Sequence, residues 1–553
     1  MRLYTHATVH TFDPANPVAT AVLESQGRVV AAGNLHELRN LAPETLHLEE
    51  IDCGGKIILP GLMDAHLHAS MYADSLAEVD LRQVRSLPEA VEAVRKHAES
   101  LPEGVWVTGG RWDFNTWSSP VQPDRELLDA AVPDRPVALW SIDYHTLWCN
   151  GAALAAAGID EATPSPRGGE IVRDGAGIPT GILREDAATV VERTIPVPPL
   201  DLRTERMLAA QRLWLSQGLV GIHDFDGAAS TQTWEALRQA DQQLLRVVKY
   251  LRLEEFEWAK QSGWRTGDGD LWFSKGGLKL FADGALGSQT SYMSAPYADA
   301  QDGLEHGLQI ATQEVLREQI TEALRSGIAL AIHAIGDQAN HEVLDAYEAT
   351  QHLMVRAERD FTRRFRHRIE HAQFIQPADI ARFAQLGVVA SMQPRHCISD
   401  LHLLRRLQPD ESLAAYAWHD MAVAGVPVAF GSDGPVEPTS PFASIYAAMT
   451  RADISGDPAT TFQPERRISS YEAIEAHSAG VAFAAGLDSR MGRITPGRAA
   501  DFIVVDTDPL NGDGYNGKTG EAESEQALFE HALRIRDTEV LMTVVDGTIA
   551  HQV

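Results

Sequence analysis

The sequence predicts an α/β protein centred on an eight-stranded parallel barrel of the (β/α)8 kind, and three observations lead there. Strand-like and helix-like segments alternate through the middle of the chain, as a parallel barrel or open sheet requires. The strand-like segments number eight. Histidine, lysine and aspartate stand at their ends, where the chemistry of such a barrel gathers. The eight are Gly61–His66, Leu219–Asp224, Leu245–Leu251, Leu278–Ala282, Ile328–His333, Arg366–His371, Val388–Met392 and Pro427–Asp433. Helical patterns at Leu202–Gln217, Gln313–Ser326, Asn340–Thr350, Pro377–Leu386 and Ala414–Ala424 fill most of the gaps.

Before the first barrel strand the chain reads as short strands with turns: Val18–Leu23, Arg28–Ala31 and Lys56–Leu59, separated by glycines. The far C-terminus has the same grammar in Ala500–Val505, Glu539–Val545 and Thr548–Ala550, with Asp546-Gly547 as a hairpin signal. One small sheet domain built from both ends, 1–60 with 490–553, is expected beside a barrel domain of 61–489. Residues of about 71–200 fall between the first and second barrel strands and hold strands and helices of their own, so they read as an inserted subdomain. Trp112, Phe114, Trp117, Trp140, Tyr144 and Trp148 make that insertion rich in aromatics. The plain reading is the insertion's own core. The sharper one is a cap over the barrel mouth, with Trp112, Trp117 and His145 touching substrate. Leu510–Gln526 reads as an exposed loop.

Composition narrows the function. The 553 residues are 44% hydrophobic and 22% charged, enough for a large core and unlike a disordered chain. A net charge of -30 repels phosphate backbones, so neither nucleic acid nor an anionic membrane is an expected partner. Three cysteines, Cys53, Cys149 and Cys397, make no disulfide framework, which points to a reducing, cytoplasmic setting. No signal peptide and no membrane-spanning run is evident. A small-molecule substrate remains.

His66-Leu67-His68 opens the chemistry, because side chains two apart on a strand share a face and both imidazoles can address one metal. Alone the pair is a weak signal. Its context is stronger: His333, His371 and Asp433 each close a barrel strand. Lys279 lies in the apolar run Leu278–Phe281, a poor place for an unpaired ammonium. The chain carries only 7 lysines against 40 arginines, so a lysine here suggests that an amine was needed. An amine reacts with carbon dioxide to form a carbamate, an anionic ligand able to bridge two metals. Nitrogen and oxygen ligands without thiolate make zinc the expected metal, with manganese, iron or nickel as alternatives. The competing role for Lys279 is a structural ion pair with Asp283.

Taken together these segments resemble the metal-dependent amidohydrolase superfamily, and most closely the amidohydrolase family 3 branch that includes N-substituted formamide deformylase. The resemblance rests on Leu59–His68, Lys279–Thr290, His333–Asp337, Ile369–Ala372 and Gly431–Asp433, and outside the barrel on Gly497–Asp501 and Val544–Gly547. It implies a TIM barrel with a small β-sandwich made from both termini. It implies a binuclear centre: His66 and His68 on the first metal, His333 and His371 on the second, a carboxylated Lys279 bridging, and Asp433 contacting metal and moving protons. It also implies an Asp-x-His segment, matched by Asp143-Tyr144-His145, and an Asn-Ser pair where this chain has Asn150-Gly151. A homodimer is a family-level expectation. His223, which ends the second strand, is left as a pocket residue.

The activity expected is hydrolysis of a carbon–nitrogen bond in an amide, formamide or cyclic amide, with Asp433 as proton shuttle. The alternatives are an esterase, lactonase or deaminase on the same site, a metal-dependent isomerase or lyase, and a non-catalytic scaffold that keeps the fold.

Overall fold

The structure is a computed structural model that describes residues 1–553 apart from 42–46, 115, 116, 120, 142–145, 167, 168, 299, 301–304, 363 and 408–411. It divides into two compact units, Met1–Tyr72 with Leu208–Val553, and Ala73–Met207.

The larger unit contains the barrel. Its strands are β1 (Leu62–Leu67), β2 (Leu219–Asp224), β3 (Arg246–Leu251), β4 (Phe273–Phe281), β5 (Leu330–Ala334), β6 (Arg368–His371), β7 (Val389–Met392) and β8 (Val428–Phe430). They form one sheet in sequence order, every neighbouring pair parallel. This is the expected TIM barrel. The seam between β8 and β1 is closed by polar contacts. Asp64 accepts from the backbone N–H of His66 at 2.9 Å and of Ser432 at 3.0 Å, and Asp433 N–H donates to His66 O at 2.7 Å. Gly431 is required there, since a Cβ would stand 2.5 Å from the His66 nitrogen.

Three boundaries differ from expectation. β4 begins at Phe273, because Phe273 to Lys275 already pair with Val247 to Lys249 on β3. The helix expected over Asn340–Thr350 runs from Asp337 to Asp360. The helix expected over Ala414–Ala424 is confined to Trp418–Val423; Ala414–Ala415 instead pairs antiparallel with Phe374–Ile375, and Tyr416 turns left-handed at φ 50°.

Two further sheets stand beside the barrel strands, one of N-terminal strands alone and one shared by both termini. One orders Arg28–Gly33, Ala21–Ser25, Arg2–Thr5 and Glu49–Asp52. The other carries Ile57–Pro60 between Thr8–His10 and Phe502–Val505, and continues into Val540–Val545 and Thr548–Gln552. Tyr4, Val22, Ile58, Phe502, Val504 and Val544 share one buried cluster, so strands from opposite chain ends bury a common apolar face. The Asp546-Gly547 turn has φ of 51° and 72°, the positive pair a two-residue hairpin prefers. Arg246 on β3 bonds Asp501 at 2.6 and 2.8 Å and Asp546 at 3.0 Å, which gives both C-terminal motifs a structural role.

The Ala73–Met207 unit has a six-stranded mixed sheet from Val79–Asp80 to Gly169–Arg173. Alternate residues serve opposite faces: Val137, Leu139, Trp148 and Ile182 join one core, while Ala138, Leu147, Cys149 and Leu183 join another. Trp112 and Trp117 belong to the first of these cores. Asn150 caps the helix Gly151–Ala156 by accepting from Ala153 N–H, and Gly151 N–H donates to Asp129. Among the described residues no helix is long and apolar enough to cross a membrane.

Candidate metal centre

The polar ends of the barrel strands converge. His66 closes β1 with His68 just beyond it, Lys279 lies on β4, and His333 and His371 stand at the ends of β5 and β6. Asp433 follows β8. His371 and Asp433 both adopt left-handed backbone, at φ 69° and 60°, a strained arrangement that recurs at functional sites. All six line one cavity of about 500 Å3, together with Arg252, Phe281, His396 and Glu437.

Each of the four expected histidine ligands has one ring nitrogen already committed. His66 Nδ1 lies 2.6 Å from Glu370 Oε2, and His68 Nδ1 lies 3.0 Å from Asp226 Oδ1. His371 Nδ1 lies 2.8 Å from Gln393 Oε1, and His333 Nε2 lies 3.0 Å from the Gly284 carbonyl. Ionised carboxylates and carbonyls only accept, so these nitrogens carry the proton, and in a neutral ring the opposite nitrogen keeps a lone pair. Metal-binding histidines are held in the same way, by an acceptor on the far nitrogen that sets tautomer and ring angle.

The acceptors are themselves organised. Burial acts to raise Glu370, but the Arg368 guanidinium and His66 outweigh it and hold the carboxyl well below its usual range. Arg368 bonds both Glu370 oxygens and also reaches His223 Nδ1 at 2.8 Å, Tyr250 Oη at 3.1 Å and Ser391 Oγ at 2.6 Å. His223 is therefore part of a buried network with Arg368, and is no lining residue of the 500 Å3 cavity. On the other side, Asp226 also accepts from Ser70 and Met71 N–H, at 2.7 and 3.0 Å, and the fully buried Lys249 ammonium bonds the Asp226 carbonyl.

Electrostatics favours neutral ligands around an anion. Burial lowers His66 to about 4 and His333 to about 3, and takes His371 well below 6.5. His68 is the exception: burial lowers it, but Asp226 and Asp433 on either side outweigh that and raise it to about 9. Without an ion, a proton is the cation between those carboxylates. Asp433 is held well below its usual range, its burial outweighed by His68 and the surrounding imidazoles.

The spacing fits a metal. Two ligand atoms about 2.1 Å from one ion at the tetrahedral angle stand ~3.4 Å apart. Asp433 Oδ1 is 3.5 Å from His66 Nε2 and 3.4 Å from His68 Nε2. A second group, His371, His396 and Asp433, also has ligand atoms within 4.8 Å of one another. The donors are nitrogen and oxygen throughout, as borderline-hard divalent ions prefer.

Lys279 is not spent on structure. Its ammonium has no hydrogen bond or ion pair among the described residues, and lies 5.1 and 5.0 Å from the rings of Phe225 and Phe281. Burial lowers it to about 8. Asp283 is no partner, because its oxygens accept from the N–H groups of Tyr292, Ile335 and Gly336 at 2.7 to 3.0 Å.

Trp112 and Trp117 are buried among Val79, Val94, Leu128 and Trp148, and Trp112 donates its indole N–H to Leu139 O at 2.9 Å. The insertion's own core, the plainer of the two readings, accounts for both. His145 and the rest of the Asp143–His145 segment lie outside the described residues. Sequence reasoning missed Asp226, Glu370 and His396 as site residues. The first two were detectable only as acids close in sequence to strand-end positions, and His396 stands alone in the Pro394–Ser399 helix with no spacing signal.

A (β/α)8 barrel with a nitrogen–oxygen donor cluster at the carboxyl ends of its strands defines a class of metal-site barrel proteins. Within that class, residues 49–551 match the model of the amidohydrolase family, so the chain belongs to that family and is a hydrolase. The protein LONG AFTER FAR-RED 3 of Arabidopsis thaliana is 31% identical over 91% of this chain and 87% of its own length. N-substituted formamide deformylase of Arthrobacter pascens is 29% identical over 99% of this chain and 97% of its own. The crystal structure of an uncharacterized metal-dependent hydrolase from Pyrococcus furiosus is 29% identical, with a TM-score of 0.77 over 92% of this chain and 100% of its own.

Proposed function

We propose that this hydrolase cleaves a carbon–nitrogen bond of a small amide, formamide or cyclic amide at a divalent metal centre. The observation that carries the reading is the set of four histidines, each with one ring nitrogen committed to an acceptor, of which His66 and His68 turn Nε2 toward Asp433 Oδ1 at 3.5 and 3.4 Å. His66, His68 and Asp433 would hold one ion and His333 and His371 another, with a carboxylated Lys279 as a ligand the two would share and zinc the expected metal. Bound divalent ions supply Lewis-acid polarisation of a carbonyl oxygen and make water more acidic.

The chain's own residues do the rest. Asp433 is ionised and borders the cavity, so its carboxylate accepts a proton from the attacking water and returns it to the departing nitrogen. The products are then a carboxylic acid and an amine. Glu370 and Asp226 keep His66 and His68 in the ligating tautomer throughout. Lys279, unpaired and lowered to about 8, has a neutral fraction at neutral pH able to add to carbon dioxide, forming a carbamate and releasing a proton. An ester would meet the same groups, and its cleavage needs no protonated nitrogen.

The test joins elemental analysis of the full chain to a panel of N-formyl and N-acyl amines. About two divalent ions per chain and turnover of at least one amide are expected. A protein that never binds a divalent ion, or that turns over esters and no amide, would overturn the reading.

A further inference from the structure

His396 has no role in the reading above. It lies in the short helix Pro394–Ser399 after β7, on a segment well anchored from behind: Cys397 and Ile398 are buried, and Arg395 pairs with Glu437 at 3.2 Å. Its ring stacks on that of His371 at 5.9 Å between centroids with 10° between planes. Its Nε2 is sealed from solvent and has no hydrogen-bond partner. A buried polar nitrogen left unpaired costs stability unless something occupies it.

What stands opposite is Asp433. Oδ2 lies 3.6 Å from His396 Nε2, too far for a hydrogen bond and close to the ~3.4 Å edge between two ligands of one tetrahedral ion. The other carboxylate oxygen, Oδ1, keeps nearly the same spacing, 3.5 and 3.4 Å, from His66 and His68. Asp433 therefore presents Oδ1 to His66 and His68 and Oδ2 to His396, with a ring nitrogen of His371 within 4.8 Å of the carboxylate. On the second side His371 is fixed from outside by Gln393, three residues before His396, so one turn of chain positions both the outer partner and the new ring.

We propose that His396 is a metal ligand, completing with His371 and Asp433 Oδ2 the second divalent position. The inference rests on the metal reading above and adds His396 to the ligand set that the family resemblance implies. His333, whose Nε2 faces the Gly284 carbonyl and leaves Nδ1 for an ion, lies 4.5 Å from His371 between ring centroids and stays in the set.

The test uses the full chain, stripped by chelator and reloaded with zinc or cobalt. Readouts are metal stoichiometry and the dissociation constant of the weaker ion, by competition with a chromophoric chelator. His396→Gln should keep one ion and weaken the other by more than the ~10–100-fold that loss of an outer partner costs. His396→Cys, reloaded with cobalt, should retain both ions and gain a sulfur-to-cobalt charge-transfer absorption, which also serves if the Gln variant fails to fold. Unchanged stoichiometry and dissociation constants in His396→Gln, with only KM raised, would make His396 a substrate contact and overturn the proposal. So would a cysteine variant with no charge-transfer band. A wild-type protein that binds no ion at all would instead sink the underlying metal reading.

Discussion

In the Ala73–Met207 unit Trp112 and Trp148 are buried against hydrocarbon and spend their indole N–H groups on backbone carbonyls, while the buried Trp117 Nε1 has no hydrogen-bond partner among the described residues. Trp112 donates to Leu139 O and Trp148 to Asp124 O at 2.7 Å, with Val94, Leu128 and Val137 packed around them. At the barrel mouth the rings of His66, His333 and His371 are also buried, yet each hydrogen-bonds through one nitrogen only among the described residues, and the Lys279 ammonium has no hydrogen bond or ion pair there, only the rings of Phe225 and Phe281. The difference separates packing from chemistry. Protein interiors pair their polar groups, so a cluster left half-paired on one common side is built to receive something.

That contrast can be broken in three places. The largest effect is expected at Asp433. Asp433→Asn should lower kcat by about 10²–10⁴-fold, the usual worth of a positioned acid–base group, while circular dichroism stays native. Turnover within tenfold of wild type would remove the proton-shuttle role.

In the insertion the expected effect is on stability. Trp112→Ala should cost about 3–5 kcal/mol by denaturant unfolding, the range for emptying a large aromatic site, with metal content unchanged. A stable Trp112→Ala protein with altered substrate preference would restore the substrate-contact reading and blur the contrast.

The smallest effect concerns a barrel histidine with both nitrogens spent. His477 pairs Nδ1 with Met63 O at 3.1 Å and Nε2 with Ser444 Oγ at 2.9 Å, and burial lowers it to about 4. Between that value and the ~6.5 of an unfolded histidine, only the unfolded chain takes up the proton. Stability should therefore fall as pH drops through this window, by at most about 3 kcal/mol from this residue. His477→Gln should flatten the slope of unfolding free energy against pH from 6.5 to 4. An unaltered slope would mean that His477 is not a buried neutral group.

Much of the site was legible because its residues sit at ends of strongly patterned strands. His66, Lys279, His333 and His371 each terminate or lie within an apolar run that only a barrel strand explains, and Asp433 follows one. His396 was not legible, since a six-residue helix carries no periodicity that marks one ring as inward. Nor were the partners. Glu370 reads as one acid in a strand, and its role depends on Arg368 two residues away and on His66, 304 positions earlier. The aromatic stretch left two readings open for a related reason: Trp is as useful in a core as in a pocket, and composition does not say which.

The sequence by itself determined the barrel, the strand ends that carry ligands and the pairing of the two chain ends into a shared sheet, because hydrophobic periodicity and turn chemistry are local properties. Tertiary structure alone decided the rest. It chose which nitrogen of each imidazole faces inward, through acceptors distant in sequence. It withheld a carboxylate from Lys279 by committing Asp283 to three backbone N–H groups. And it placed His396 against Asp433, a meeting of β7 and β8 loops that no spacing encodes. Hydrogen-bond geometry and desolvation act through space, so they exist only once the barrel has closed.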